Sequence, residues 1–81
     1  MTYTLYTTNS IERLANEKEI ATAQAPCEAI RAVTEYLESN NIYHERYMRY
    51  LFAPEATFID YGSYSKFIAI VPPISIGDLQ D

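Results

Sequence analysis

The stretch APCEAIRAVTEYLESNN, residues 25–41, carries the strongest structural pattern in the chain. Its apolar residues recur at helical spacing and form one stripe: Ala29, Ile30, Val33 and Leu37. Pro26 suits the first helical position, where its missing N–H costs no hydrogen bond. The pair Asn40-Asn41 suits the exit, because asparagine tolerates the left-handed conformation. The sequence therefore predicts a helix over residues 26–39.

Two segments before this helix have the composition of strands. Residues 2–8, TYTLYTT, and residues 19–24, EIATAQ, are rich in the residue types that suit a pleated, half-buried surface. Between them, Asn9 or Ser10 could cap a short helix, or the intervening segment could form a wide loop. The sequence leaves these two alternatives open.

Three further strands are predicted after the helix. Residues 43–52 fit either a helix or a strand, and their density of aromatic side chains favours a strand. Residues 57–61 and 66–71 are strands separated by short turns that contain Pro54 and Gly62. Because the connections are tight, these three strands should form an antiparallel meander.

The predicted fold class is therefore α+β, in the order β-β-α-β-β-β. One main helix packs on one face of a mostly antiparallel sheet. Residues 1–73 form a single domain, and residues 74–81, which follow two prolines, form a short C-terminal tail. The apolar residues of this tail suggest that it could add as a strand to the sheet edge of a partner.

Composition and charge exclude several classes of protein. The chain has 81 residues, a net charge of −5 and a single cysteine, so an internally disulfide-bonded secreted domain is excluded. The acidic balance disfavours binding to nucleic-acid backbones, which requires clustered Lys and Arg. We expect a cytoplasmic location, since no signal peptide and no membrane-spanning run is visible.

The segment KFIAIV, residues 66–71, is apolar on both faces of a strand and so predicts a central strand. One helix covers only one face of a small sheet. The second face must be covered by residues 9–16 or by a partner, and the latter predicts a docking surface, with a homodimer as one form. The predicted partner-binding residues are Tyr47, Tyr50, Tyr61, Tyr64, Ile68 and Ile70.

Residues 43–52 suggest an alternative function as a single-stranded nucleic-acid binder. Tyr47 and Tyr50 could stack bases, and Arg46 and Arg49 could bind phosphates. However, the two arginines have opposite parity on a strand, and the chain is acidic, so nucleic acid is the less favoured partner.

Three groups of residues offer chemistry, and each has a structural interpretation that we favour. His44 beside Glu45 and Asp60 could form a general-base arrangement, but no nucleophile accompanies it and a surface histidine is expected. Cys27 sits near a helix N-terminus, although a small buried residue is expected there. The segment DYGSYS, residues 60–65, could cradle an anion, but a hairpin turn is expected.

No motif in the sequence indicates catalysis. Phosphate-binding loops, dinucleotide fingerprints, zinc-protease motifs and paired carboxylates are all missing from it. We therefore predict a non-enzymatic protein-binding module that needs no cofactor, no metal and no small-molecule substrate. It is expected to dock through the sheet face away from the helix.

The run EIATAQAPCEAIRAVTEYL, with YMRYLF and FIDYGSYSKFIAI after it, resembles short uncharacterised proteins of Gram-positive bacteria and of their phages and mobile elements. The resemblance covers residues 19–70. It implies a small α+β fold and an accessory or inhibitory role. No functional residue of this chain can be assigned from the resemblance, because no activity is established for that group.

Overall fold

Five strands and one long helix form the fold of the computed structural model, which describes residues 1–42, 44 and 48–79. In chain order the elements are β1 Tyr3–Thr8, β2 Lys18–Ala23, α1 Pro26–Ser39, β3 Arg49–Phe52, β4 Thr57–Asp60, β5 Phe67–Val71 and a 3-10 helix, Ile76–Leu79. The α+β class, the element order and the helix at residues 26–39 are confirmed. Residues 9–17 form a loop rather than a helix.

The strands form one antiparallel sheet in the order β2-β1-β5-β4-β3. β5 is the central strand, as its two apolar faces predict. The meander β3-β4-β5 is confirmed, and the first strand pairs with the last: Leu5 of β1 lies opposite Ile70 of β5. α1 then connects β2 at one edge of the sheet with β3 at the other edge.

Hydrogen bonds at both ends of α1 explain where it begins and ends. The N-cap residue, Ala25, has no capping side chain, and the Glu28 carboxylate instead accepts a hydrogen bond from the Gln24 N–H at 3.0 Å. At the other end Asn41 adopts a left-handed φ of 55°, as predicted. The N–H of Ile42 then donates to the Leu37 carbonyl at 2.8 Å, which turns the chain back toward the sheet.

One sheet face lies beneath α1, and we call it the helix face. Ala29, Val33 and Leu37 of the helix are fully buried against it. The sheet contributes fully buried apolar residues from three strands to this contact: Leu5, Ile59, Ile68 and Ile70. Full burial of each such aliphatic side chain contributes about 1.5–3 kcal/mol, so this layer supplies most of the hydrophobic stabilisation.

The opposite surface of the sheet, which we call the far face, is covered by the chain itself. Phe58 and Ala69 lie opposite each other on β4 and β5 and are fully buried there. Ile11 and Leu14, from the loop between β1 and β2, pack over them. The middle of the far face is therefore a second small core. Residues of the β1–β2 loop cover it, which is one of the two possibilities that the sequence left open.

A buried threonine holds that covering loop in place. The Thr8 hydroxyl accepts hydrogen bonds from the backbone N–H of Ala15 at 2.9 Å and of Ser10 at 3.4 Å. It lies 3.2 Å from the Ala15 carbonyl and 3.3 Å from the Arg13 carbonyl, either of which can accept its proton. One side chain thus satisfies several backbone groups of a loop without regular structure.

A second buried threonine fixes the start of the C-terminal segment. The Thr57 hydroxyl accepts a hydrogen bond from the Ile74 N–H at 2.9 Å and donates to the Ile74 carbonyl at 3.0 Å. Ile74, where the sequence predicted that a tail begins, is buried in the helix-face core. The residues after it form the 3-10 helix rather than an extended strand.

Candidate functional site

β3 presents an apolar edge. Within the described part of the chain it pairs only with β4, so its outer side carries free backbone N–H and C=O groups. Leu51, on the far face, is 42% exposed, and Phe52, on the helix face, is 39% exposed. Tyr50 stacks on Phe52 on the helix face, with ring centroids 6.2 Å apart.

The other edge of the sheet, β2, has the features that protect edges from pairing. Its register with β1 shifts between Leu5 and Tyr6, which indicates a β-bulge at the facing position. Its first two residues, Lys18 and Glu19, are charged and exposed. Bulges and charges both discourage strand addition, so the β2 edge is better protected than the β3 edge, which carries a single charged residue, Arg49.

The predicted partner-binding residues do not form one surface. Ile68 and Ile70 are fully buried on the helix face, so they belong to the core and not to the face away from the helix. Tyr61 is 4% exposed and Tyr64, at the tip of the β4–β5 turn, is fully exposed. Tyr50 lies on the edge strand β3, and Tyr47 lies outside the described residues.

The alternation of side chains along β5 explains why the sequence does not reveal that Ile68 and Ile70 lie on the helix face. Both faces of β5 are apolar, so alternation alone cannot say which of them the helix covers. Pairing decides it, because Ile70 lies opposite Leu5, whereas Ala69 lies opposite Phe58. The small side chain of Ala69 leaves space on the far face for Phe58 and for the loop above it.

A cleft of about 610 Å³ opens where the C-terminal end of α1 meets the sheet. Tyr36 and Ile42 line it from the helix and its exit, and Thr7 and Lys18 line it from β1 and β2. The β4–β5 connection closes it with Tyr61, Gly62, Ser63 and Lys66. We call it the lysine cleft, because both lysines of the chain line it.

The lysine cleft combines positive charge with hydroxyl groups. None of its described lining residues carries a carboxylate. Burial raises the pKa of the Tyr61 phenol, the neighbouring Tyr36 raises it further, and the Ser63 side chain partly opposes both effects. Tyr61 therefore stays protonated at neutral pH and is able to donate a hydrogen bond. The cleft is thus suited to an anionic ligand.

The backbone at Gly62 shapes the cleft wall. Gly62 has a φ of 106°, a conformation that side chains disfavour. Its N–H donates to Oδ1 of Asp60 at 3.0 Å, and Oδ2 of Asp60 lies 3.8 Å from Nε of Arg49. The segment DYGSYS is therefore a turn, as expected, and it also forms one wall of the cleft.

We expect Gly62→Ala to lower the free energy of unfolding by about 1–2 kcal/mol, because the added Cβ is strained at this positive φ. Urea denaturation followed by far-UV circular dichroism measures the change. Gly77→Ala is the matched control: a Cβ there meets its nearest side-chain atom at 3.7 Å, an ordinary contact. Equal losses in the two variants would contradict this account of Gly62.

The other sequence candidates do not come together. The Asp60 carboxylate accepts a hydrogen bond from Gly62 and lies near the Arg49 guanidinium. Glu45 lies outside the described residues. Cys27 is exposed, so the expectation of a buried residue is wrong; the first turn of α1 points it to solvent. Among the residues with described positions, no three His, Cys, Asp or Glu side chains could hold a metal ion together.

No family model, no curated protein and no solved structure matches the chain in comparisons with known proteins. The resemblance to short proteins of Gram-positive bacteria and mobile elements therefore stays a prediction. Within the described part of the chain, none of the helices has both the length and the apolar character needed to cross a membrane.

Sequence reasoning missed the lysine cleft. The sequence indicates an anion site only as an alternative at residues 60–65, and Lys18, Thr7 and Ile42 are distant from that turn in sequence. They reach it through the pairing of β1 with both β2 and β5 and through the exit of α1. The one available signal was compositional: an acidic chain with only two lysines.

Proposed function

We propose that the chain is a non-enzymatic protein-binding module whose docking element is the outer edge of β3. The observation that carries the proposal is the combination of an edge that pairs with no described strand and the exposed side chains of Leu51 and Phe52. A strand added there would gain backbone hydrogen bonds and cover both apolar side chains. An accessory or inhibitory role in a phage or mobile element is a further prediction from the sequence.

A second copy of this chain is the occupant that we propose for the edge. The sheet is antiparallel throughout, so two β3 strands can pair antiparallel about a two-fold axis and continue it. Because β2 carries a bulge and charges, β3-to-β2 pairing into an open fibre is disfavoured, and a closed dimer results. Four residues extend only about 14 Å, so the dimer should be weak.

We expect Leu51→Lys to weaken self-association at least tenfold while the fold is retained. A two-fold axis near the middle of β3 brings the two copies of residue 51 close together, so two lysines would repel. Sedimentation equilibrium from about 1 µM to about 1 mM covers the affinities of a weak dimer. Far-UV circular dichroism confirms that the variant folds.

Thr22→Lys is the matched control for this experiment. Thr22 is exposed on β2, at the opposite edge, and it lies opposite Thr4 on the far face. The Thr22→Lys substitution introduces the same charge into the same sheet without changing β3, so self-association should be unchanged. A wild-type chain that stays monomeric at every concentration would refute the second copy as occupant, and a dimer unaffected by Leu51→Lys would refute the β3 edge.

The alternative function, a single-stranded nucleic-acid binder on residues 43–52, gains no specific support. Tyr50 and Arg49 are adjacent on β3 and therefore point to opposite faces. Arg49 lies on the far face near Asp60, which offsets its charge. This alternative stays a prediction.

A further inference from the structure

We propose that the lysine cleft binds a small phosphate monoester, with the phosphate between Lys18 and Lys66 and the organic part against Tyr36 and Ile42. This site is separate from the β3 edge, and the proposal does not depend on the proposed function. It rests on three observations about the cleft: its charge, its shape and its hydrogen-bonding groups.

The charge of the cleft is opposite to that of the chain. The protein has eleven acidic residues and a net charge of −5, yet both of its lysines line one cleft. Among the described residues, no carboxylate lies within 4.0 Å of either lysine. Glu19, next to Lys18, lies opposite Tyr6 and so belongs to the far face. Two ammonium groups with no carboxylate partner in the described part of the chain favour a ligand with two negative charges.

The shape of the cleft suits a small organic molecule. Its volume of about 610 Å³ lies within the range of small-ligand sites. Tyr36 and Ile42 supply an aromatic ring and an aliphatic side chain to the wall. An anion with a flat organic part would use both the charge and this apolar wall, whereas inorganic phosphate would use the charge alone.

Hydroxyl groups in the wall could complete recognition of a phosphate. Thr7, Ser63 and Tyr61 line the same cleft and each carries a hydroxyl. The Thr7 hydroxyl lies 3.5 Å from the Lys18 carbonyl and the Ser63 side chain hydrogen-bonds to Tyr61, so a phosphate would take these two hydroxyls only in exchange for those contacts. The Ser63 oxygen accepts hydrogen bonds from the N–H groups of Ser65 at 3.4 Å and Lys66 at 3.1 Å, which holds it in place on the turn. A phosphate has enough acceptor oxygens for both lysines and for these hydroxyls.

The test is a titration of the isotope-labelled protein by two-dimensional amide NMR at a pH above 7, where a phosphate monoester carries two charges. The probes are phenyl phosphate, benzoate and phenol, which share a ring and differ in charge. We expect saturable shifts with phenyl phosphate at the amides of Thr7, Lys18, Gly62 and Lys66. Benzoate should bind at least tenfold more weakly, and phenol should give no saturable shift.

Lys18→Met and Lys66→Met each keep much of the apolar length of the side chain and remove its charge. Each should weaken phenyl phosphate binding at least fivefold. Arg31→Met is the matched control, because Arg31 is exposed on α1 outside the cleft and its loss changes the net charge equally. The amide spectrum of each variant shows directly whether it is folded.

Three results would overturn the proposal. Equal binding of phenol and phenyl phosphate would show an apolar cavity without anion selectivity. Shifts that do not saturate, or that spread over the surface, would show no site. Phenyl phosphate affinity that Arg31→Met lowers as much as the lysine variants would show a general effect of net charge.

Discussion

Ile70→Glu is expected to abolish the cooperative unfolding transition of this protein. Ile70 has no exposed surface, lies on the central strand β5 and packs in the core beneath α1. The substitution loses the burial of an aliphatic side chain, about 1.5–3 kcal/mol, and places an unpaired carboxylate in the core. The combined cost exceeds about 5 kcal/mol, which matches the whole stability of a marginal small domain. Thermal unfolding monitored by circular dichroism measures the result.

Ile76→Glu is the matched control for this substitution. Ile76 is 64% exposed in the 3-10 helix, so the same change there should leave the midpoint of unfolding almost unchanged. A folded Ile70→Glu protein that had lost self-association would contradict the placement of Ile70 in the core. It would restore the sequence-based expectation that Ile70 belongs to a docking face.

The local elements of the fold could be predicted because their signals are local. The stripe of α1, Pro26 at its start and Asn41 at its exit specify a helix without reference to the rest of the chain. The apolar character of both faces of β5 likewise predicts its central position. Short turns around Pro54 and Gly62 predict the meander, because tight connections join neighbouring antiparallel strands.

The arrangement of faces could not be predicted, because it depends on pairing between distant segments. The contact of Leu5 with Ile70 joins the two ends of the chain, and no local pattern specifies that register. Once it is fixed, Ile68 and Ile70 face the helix and Ala69 faces the loop. A strand with one polar face would have revealed this orientation, but β5 has none.

The two candidate sites also depend on pairing between distant segments, so the sequence could predict them only in part. Leu51 and Phe52 could be recognised as apolar residues of a strand, but their exposure follows from the position of β3 at the sheet edge. The lysine cleft requires α1, β1 and the β4–β5 turn to meet. Its ligand chemistry is visible only after Lys18 and Lys66 have been placed on one surface.

Thr8→Val is expected to lower the free energy of unfolding by about 2–3 kcal/mol, although the two side chains have nearly the same shape. The valine cannot accept the hydrogen bonds that the Thr8 hydroxyl accepts from Ala15 and Ser10. These backbone groups would then lack their partner in a partly buried loop. The loop carries Ile11 and Leu14, so its loosening should also expose Phe58.

Thr7→Val is the matched control, because Thr7 is the preceding residue and its hydroxyl makes only a long contact, 3.5 Å, with the Lys18 carbonyl. Urea denaturation should give a loss below about 1 kcal/mol for this control. Amide hydrogen exchange should accelerate at Ala15 in Thr8→Val and remain slow in Thr7→Val. Equal losses of stability, or unchanged exchange at Ala15, would mean that the loop covers the far face through Ile11 and Leu14 alone. The predicted pattern would instead show that the buried Thr8 hydroxyl stabilises the loop that covers the middle of the far face.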